Sequence, residues 1–186
     1  MFIGHIPAGY ISTNAVFRIL PQRCIEKICL RYALLWGTIG SIFPDFDIFY
    51  LLLIGKRPHL HHKYWTHIPF YWVCIFLLIF SIVIAYEKRA LAIYLWIFSL
   101  NIFIHLFLDT IVGNIRWLYP FSSDGVVFFH VPALYNWGVW KFVFHWTFLF
   151  EIVIVAIATL ILRIKGWPKI RIQHNALKPM QKDRAV

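Results

Sequence analysis

The sequence predicts an all-α fold, a polytopic membrane helical bundle with four to five transmembrane helices and a broken helix at Pro44. The first observation is composition, because 61% of the 186 residues are hydrophobic and only 14% are charged. A soluble domain carries roughly 25% charged residues, and a chain of this length has too little interior to bury so much apolar surface. The second observation is a set of apolar runs that reach the ~20 residues required to cross a ~30 Å hydrocarbon core.

The sequence has five apolar runs, of which three are continuous, one is weaker and one is interrupted by a proline. The weaker run, residues 2–20, is diluted by polar residues and a proline, so it is expected either to span the membrane or to re-enter on the same side. The continuous runs are predicted to be transmembrane helices. They cover residues 68–86, 90–113 and 145–165.

A fourth long run, residues 32–54, is interrupted by Pro44. Proline removes a backbone donor and disfavours helix at the residue before it. We therefore expect a helix over about residues 31–43, followed by an irregular turn that holds Asp45 and Asp47. Irregular backbone at membrane depth persists only where protein buries it or where it lines a wet cavity, so this turn is a candidate site.

The distribution of Lys and Arg predicts the orientation. Residues 18–31 carry four, residues 87–89 carry two and the tail from residue 163 carries seven, whereas loops 55–67 and 114–144 together carry five. Basic loops stay in the cytoplasm, so the two loops and the N-terminus of a spanning 2–20 helix are expected outside. The predicted units are a membrane-embedded helical domain over residues 1–165 and a basic cytoplasmic tail over residues 166–186.

The net charge of +10 is consistent with this topology. The basic residues lie mainly in connecting segments and the tail, where they meet lipid headgroups, so the predicted partner is the lipid bilayer and no nucleic acid is expected. The three cysteines form no CxxC pair, which excludes a cysteine zinc motif and a disulfide framework from the predictions.

Histidine and aspartate residues from distant parts of the chain converge on the outer face in this topology. Mixed His and Asp ligands without cysteine suit zinc or another divalent ion such as manganese. The candidates exceed what one tetrahedral zinc takes, so either two ions or one ion with spare acid–base groups is expected. The converging residues are His5, Asp45, Asp47, His59, His61, His62, His67, His105 and Asp109.

Each pair also has a simpler interpretation. His105 and Asp109 share a helix face, and they could satisfy each other as a buried pair instead of binding an ion. Asp45 and Asp47 point the same way if the turn is extended; they would then repel unless a cation held them, or they could be ordinary loop or capping residues. His62 and His67 could be interfacial histidines with no ligand role.

The remaining polar residues are not predicted to be ligands. His59 and His61 are weaker candidates than His62 and His67. Glu151 is expected in the cytoplasmic or central part of the last span, paired there with a lysine or histidine. The histidines interpreted as structural are His130, His145 and His174.

The predicted chemistry is metal-dependent hydrolysis. A divalent ion lowers the pKa of its bound water to ~7 and stabilises a developing oxyanion. Asp47 is the predicted catalytic proton acceptor.

Four short motifs, in order, resemble the YdjM-like inner-membrane metal-dependent hydrolase family of bacteria. They follow an N-terminal histidine, His5, with Gly9 behind it. The motifs are GSIFPDFD at 40–47, HHKYWTHI at 61–68, HLFLD at 105–109 and YPF at 119–121. The resemblance covers about two thirds of the chain, and it implies seven metal ligands. These are His5, Asp45, Asp47, His62, His67, His105 and Asp109.

The resemblance also implies a substrate and a location. Family members look distantly similar to helical zinc-dependent phospholipases C, which implies a phosphoester in a lipid or lipid-linked substrate, cleaved at the outer face of the inner membrane. Lys63, Tyr64 and Ile68 depart from the family pattern of Arg, Gly and Ser. Lys63 is nevertheless the residue expected to meet the negative charge of the substrate. The expected cofactor is a divalent metal, with zinc as the first choice and two ions as an alternative.

Two other function classes remain open on the sequence. A transporter or ion conductor would use intramembrane Asp and His residues as a path. A non-catalytic membrane protein would keep the ion for structural reasons.

Overall fold

The computed structural model describes residues 3–54, 62–130 and 143–166, which form helices and turns and no β-strand. The predicted all-helical fold class is confirmed for these residues. Short 3₁₀ turns occupy Phe43–Phe46 and Trp65–His67. The α-helices are α1 (His5–Ile19), α2 (Gln22–Ile25), α3 (Leu30–Gly40), α4 (Asp47–Leu53), α5 (Pro69–Ala85), α6 (Arg89–Asp109) and α7 (Phe148–Lys165).

The helix break lies close to its predicted place but has a different form. The helix before the break, α3, ends at Gly40. Pro44 then lies in the first turn of a 3₁₀ helix, where its fixed φ is compatible with helical backbone. Asp47 continues with φ −62° and ψ −25° and begins α4. The expectation of an extended turn is therefore wrong, and Asp45 and Asp47 do not point the same way.

Small residues bring the central helices into close contact. α3 packs against α6 and against α1, and α1 also packs against α7 while α5 packs against α6. A Cβ atom added at Gly40 would lie 2.5 Å from the carbonyl oxygen of Phe98 on α6, so only glycine permits this approach. Buried Asn101 donates to the Ile97 carbonyl at 2.8 Å and to Thr13 Oγ1 of α1 at 3.3 Å.

The helices alternate in direction, which separates two ends of the bundle. The start of α7 meets the start of α1, where the Gly4 amide donates to Glu151 at 2.9 Å. At the other end, Lys165 donates to Asn14 at 3.4 Å. The described Lys and Arg residues that the sequence assigned to the cytoplasm lie at helix ends on this second side, which we call the basic end.

Apolar side chains dominate the outer surface of the bundle. Leu77 is 65% exposed and Leu160 is 59% exposed, as expected where lipid replaces water. Within the described ranges, Arg89–Asp109 is the one helix both long and apolar enough to cross a membrane, and Pro69–Ala85 is apolar but shorter. The count of four to five spans stays a prediction, and the tail from residue 167 lies outside the described residues.

Candidate metal centre

Four residues from three elements bring one donor atom each to a common point. Asp45 comes from the first 3₁₀ turn, His67 from the second, and His105 and Asp109 from the end of α6. The four donor atoms all lie within 4.8 Å of one another. His67, His105 and Asp109 are buried, while the Asp45 side chain is 28% exposed and marks the open side of the group.

Five of the separations between these donors are close to the edge length of a tetrahedron around a metal ion. His105 Nε2 lies 3.1 Å from Asp109 Oδ2, 3.4 Å from His67 Nε2 and 3.6 Å from Asp45 Oδ1. His67 Nε2 lies 3.5 Å from each of those two carboxylate oxygens. Four ligands at ~2.1 Å from a tetrahedral zinc ion are separated by about 3.4 Å. The arrangement therefore fits a divalent ion of that size.

His105 is oriented by the backbone that follows α3. Its Nδ1 lies 2.7 Å from the carbonyl oxygen of Ser41, which can only accept a hydrogen bond. Nδ1 therefore carries the proton and Nε2 is left to bind an ion. The predicted shared face of His105 and Asp109 is present, since their side chains meet across one helical turn.

His67 is held between two carboxylates, one at each ring nitrogen. Asp45 faces Nε2, whereas Asp47 Oδ2 lies 3.2 Å from Nδ1. Thr66 Oγ1 donates to the same Asp47 oxygen at 2.5 Å. Asp47 therefore stands behind His67 and outside the group of four, although the sequence predicted it as a direct ligand and as the proton acceptor. Helical backbone after Pro44 is the reason, because it turns the two carboxylates in different directions.

His5 and His62 approach the group from two further sides. His5 Nε2 lies 3.1 Å from Asp109 Oδ1 and 4.0 Å from Asp45 Oδ2. Its ring stacks on that of His105 at 3.9 Å between centroids. His62 Nε2 lies 3.4 Å from Asp109 Oδ2, and its side chain is 24% exposed. The structure thus brings all seven predicted ligands together, with six around the centre and Asp47 behind it.

The charge of the centre calls for a cation. His67 lies outside the long helices. Burial lowers its pKa, but hydrogen bonds from its ring to the carboxylates of Asp109, Asp45 and Asp47 outweigh burial and raise the pKa to about 10. A proton on His67 offsets the carboxylates, and a divalent ion would replace that proton.

Three supporting residues were not predicted from the sequence. Ser41 and Thr66 lie inside the quoted motifs, and Thr66 also directly precedes the ligand His67, which were the available signals. Gly113 leaves room for His62, because a Cβ atom there would lie 2.8 Å from the His62 ring. No sequence pattern indicated that contact.

The other predicted residues lie away from the centre or outside the described ranges. Lys63 is exposed and follows His62 in the chain. His145 Nδ1 lies 2.8 Å from Thr147 Oγ1, which agrees with a structural role. Glu151 is not in the cytoplasmic or central part of its helix as expected; it lies in the first turn of α7 and accepts backbone hydrogen bonds. His59, His61 and His174 lie outside the described residues.

One family of known proteins matches the chain. A family model described as YdjM inner membrane protein matches residues 1–176, a range that includes all seven predicted ligands. No curated protein and no solved structure matches the chain. The resemblance stated from the motifs is confirmed, and the family description agrees with the predicted inner-membrane location. The chain belongs to the YdjM inner membrane protein family.

Proposed function

We propose that this protein is a membrane-bound metal-dependent hydrolase that cleaves a phosphoester of a lipid or lipid-linked substrate at the outer face of the membrane. The near-tetrahedral set of Asp45, His67, His105 and Asp109 carries the proposal. When bound, a divalent ion there would supply Lewis-acid stabilisation and an activated water.

The second oxygens of the two central carboxylates suggest room for two ions. Asp45 and Asp109 each direct one oxygen at the histidine pair and the other towards His5. His5 with those two oxygens offers three protein donors, which leaves coordination positions for water and substrate. Many phosphoesterases use two metal ions, and these residues would be the ones to hold them here.

His62 is better placed than Asp47 to move a proton. Asp47 is 4% exposed and its Oδ2 is engaged by Thr66 and His67, so a substrate has no direct route to it. His62 is partly exposed at the edge of the centre. We assign it the acid–base role, and we keep exposed Lys63 beside it as the group that attracts an anionic headgroup.

An apolar groove supports a substrate with a hydrocarbon chain. It has a volume of about 390 Å³ and runs between α1, α3 and α7, within the size range of small-molecule sites. Its two threonines, Thr38 and Thr159, donate their hydroxyls to carbonyls of their own helices and so offer mainly methyl groups. At one end it is lined by Ile6 and Ile42, which directly follow His5 and Ser41 in the chain.

A structural metal site is the second candidate. Four protein donors already complete a tetrahedral zinc shell, which is typical of structural zinc. Close packing below the centre at Gly40 and around Asn101 argues against the transport alternative, since a conducting path needs room for an ion or water.

Metal analysis followed by a substrate screen tests the proposal. Protein purified in detergent is expected to retain zinc or manganese, to lose it in His67→Ala and Asp109→Asn, and to keep it in the control His145→Ala. Hydrolysis of phosphodiester and phosphomonoester lipids should then follow metal content. If the wild-type protein contains no metal, the proposed metal site is wrong. If it contains metal but hydrolyses none of these lipids, the result favours a structural metal site.

A further inference from the structure

Glu151 is a fully buried carboxylate that the proposed chemistry does not use. It lies in the first turn of α7 and is 0% exposed. Its Oε2 accepts hydrogen bonds from the backbone amides of Ile3 at 2.5 Å and Gly4 at 2.9 Å. These amides immediately precede α1, so the last described helix of the chain holds the start of the first.

The first amides of a helix have no partner within the helix. In α1 the N-cap is Gly4, which has no side chain with which to satisfy them. Glu151 supplies the missing acceptor from another helix, and its negative charge also suits the positive end of the α1 dipole. Glu151 therefore anchors the start of α1, in addition to the packing of α1 against its neighbouring helices.

The first residue of that turn is His5. Its ring is 4% exposed and lies between Asp109 at 3.1 Å and the face of His105 at 3.9 Å between centroids. No hydrogen bond to its Nδ1 from the described residues fixes the ring. Its place in the centre is thus set by the α1 backbone, by the contact of Nε2 with Asp109 and by this stacking contact.

We propose that Glu151 is a positioning residue for the metal centre, which acts through the α1 backbone to hold His5 against Asp45 and Asp109. The inference rests on the proposed metal site and assigns a function to a carboxylate about 146 positions away in sequence from the ligand that it serves. If Glu151 only capped α1, it would stabilise the fold, and its loss would affect metal binding only through that stability and not through His5.

A double-mutant cycle separates the two roles. Zinc affinity and zinc content are measured by chelator competition on the full chain, tagged at the C-terminus, for Glu151→Ala, His5→Ala and the double variant. Glu151→Gln keeps one acceptor oxygen and is the conservative variant, and exposed Glu26→Gln is the matched control. Melting temperatures of the metal-free proteins are measured in parallel.

Loss of a residue that orients a ligand typically weakens metal binding 10–100-fold. Glu151→Ala is expected to weaken the zinc equilibrium that depends on His5 by that factor, with a smaller loss in Glu151→Gln and none in Glu26→Gln. In the His5→Ala background the same change should cost less than about twofold. An equal loss in both backgrounds overturns the inference and leaves only a capping role.

Two further outcomes separate this inference from the proposed function. If Glu151→Ala does not fold, the cycle is run with Glu151→Gln, and the same comparison of backgrounds decides. If wild type binds neither zinc nor manganese, the proposed function fails together with this role. If wild type binds zinc and the cycle finds no coupling, only the role of Glu151 is wrong.

Discussion

Replacement of Asp47 tests whether this carboxylate is a metal ligand or a support for one. The sequence predicts a ligand, because Asp47 stands two residues from Asp45 in a single motif. The structure puts its Oδ2 at 3.2 Å from the Nδ1 atom of His67, on the side of the ring away from the centre. Asp47→Asn keeps the size and an acceptor oxygen but removes the charge.

The expected loss follows from that one hydrogen bond. A hydrogen bond to a charged group contributes about 1.5–3 kcal/mol, and 1.4 kcal/mol is a tenfold change in an equilibrium constant. Residues that orient a ligand change metal affinity 10–100-fold, which agrees with this range. Because asparagine can still accept from Nδ1–H, we expect about tenfold weaker binding in Asp47→Asn and up to about 100-fold in Asp47→Ala.

The assay is zinc binding measured by chelator competition, with metal content measured on the same samples. Asp109→Asn is the reference for loss of a direct ligand and should release the ion, whereas exposed Asp124→Asn should have no effect. Release of the ion from Asp47→Asn, as complete as from Asp109→Asn, would restore the ligand assignment. An unchanged affinity would refute the supporting role as well.

Three other predictions address the groove, the packing and the pH dependence. Ala158→Trp places an indole ring in the groove and leaves less room for a hydrocarbon chain, so hydrolysis of long-chain lipids should fall while that of soluble phosphoesters persists. Because Ala158 is buried and overpacking costs about 1–3 kcal/mol of stability, the melting temperature is measured in parallel; Ile157→Trp, at a 44% exposed position, is the control. Gly40→Ala forces a Cβ against the Phe98 carbonyl and should lower stability by about 1–3 kcal/mol, read as a lower melting temperature. In metal-free protein the raised pKa of His67 contributes stability that is complete below about pH 6.5 and is lost as pH rises through about 10, so the melting temperature should fall over that window and much less in His67→Ala.

The gathering of ligands at one end could be predicted from the sequence because it depends on topology alone. Alternating apolar runs reverse the chain at each crossing, and this reversal carries His5, Asp45, His67 and Asp109 to one end of the bundle. Basic residues collect at the other end by the same reversal. The spacing of His105 and Asp109 then placed both on one helix face, which needs only the helical period.

The pairing of atoms within the centre could not be predicted in this way. Asp45 and Asp47 meet opposite nitrogens of His67 because the backbone after Pro44 is helical, and a proline in a sequence is compatible with either a helix start or an extended turn. The sequence also did not predict the partners of Glu151. Glu151 binds backbone amides, which every residue except proline carries, so no sequence pattern indicates them.

His5, His67 and His105 are each held by a different part of the bundle, so metal binding at the centre would be coupled to the fold. The Ser41 carbonyl after α3 orients His105, and Asp47, the first residue of α4, orients His67. Glu151 of α7 binds the start of α1, where His5 lies. Metal ions held by these three rings would therefore connect five helices at one end, while glycine and asparagine contacts join α1, α3 and α6 farther down. Binding energy at such a site becomes folding energy, so the helix ends around the centre should loosen first when the ion is removed.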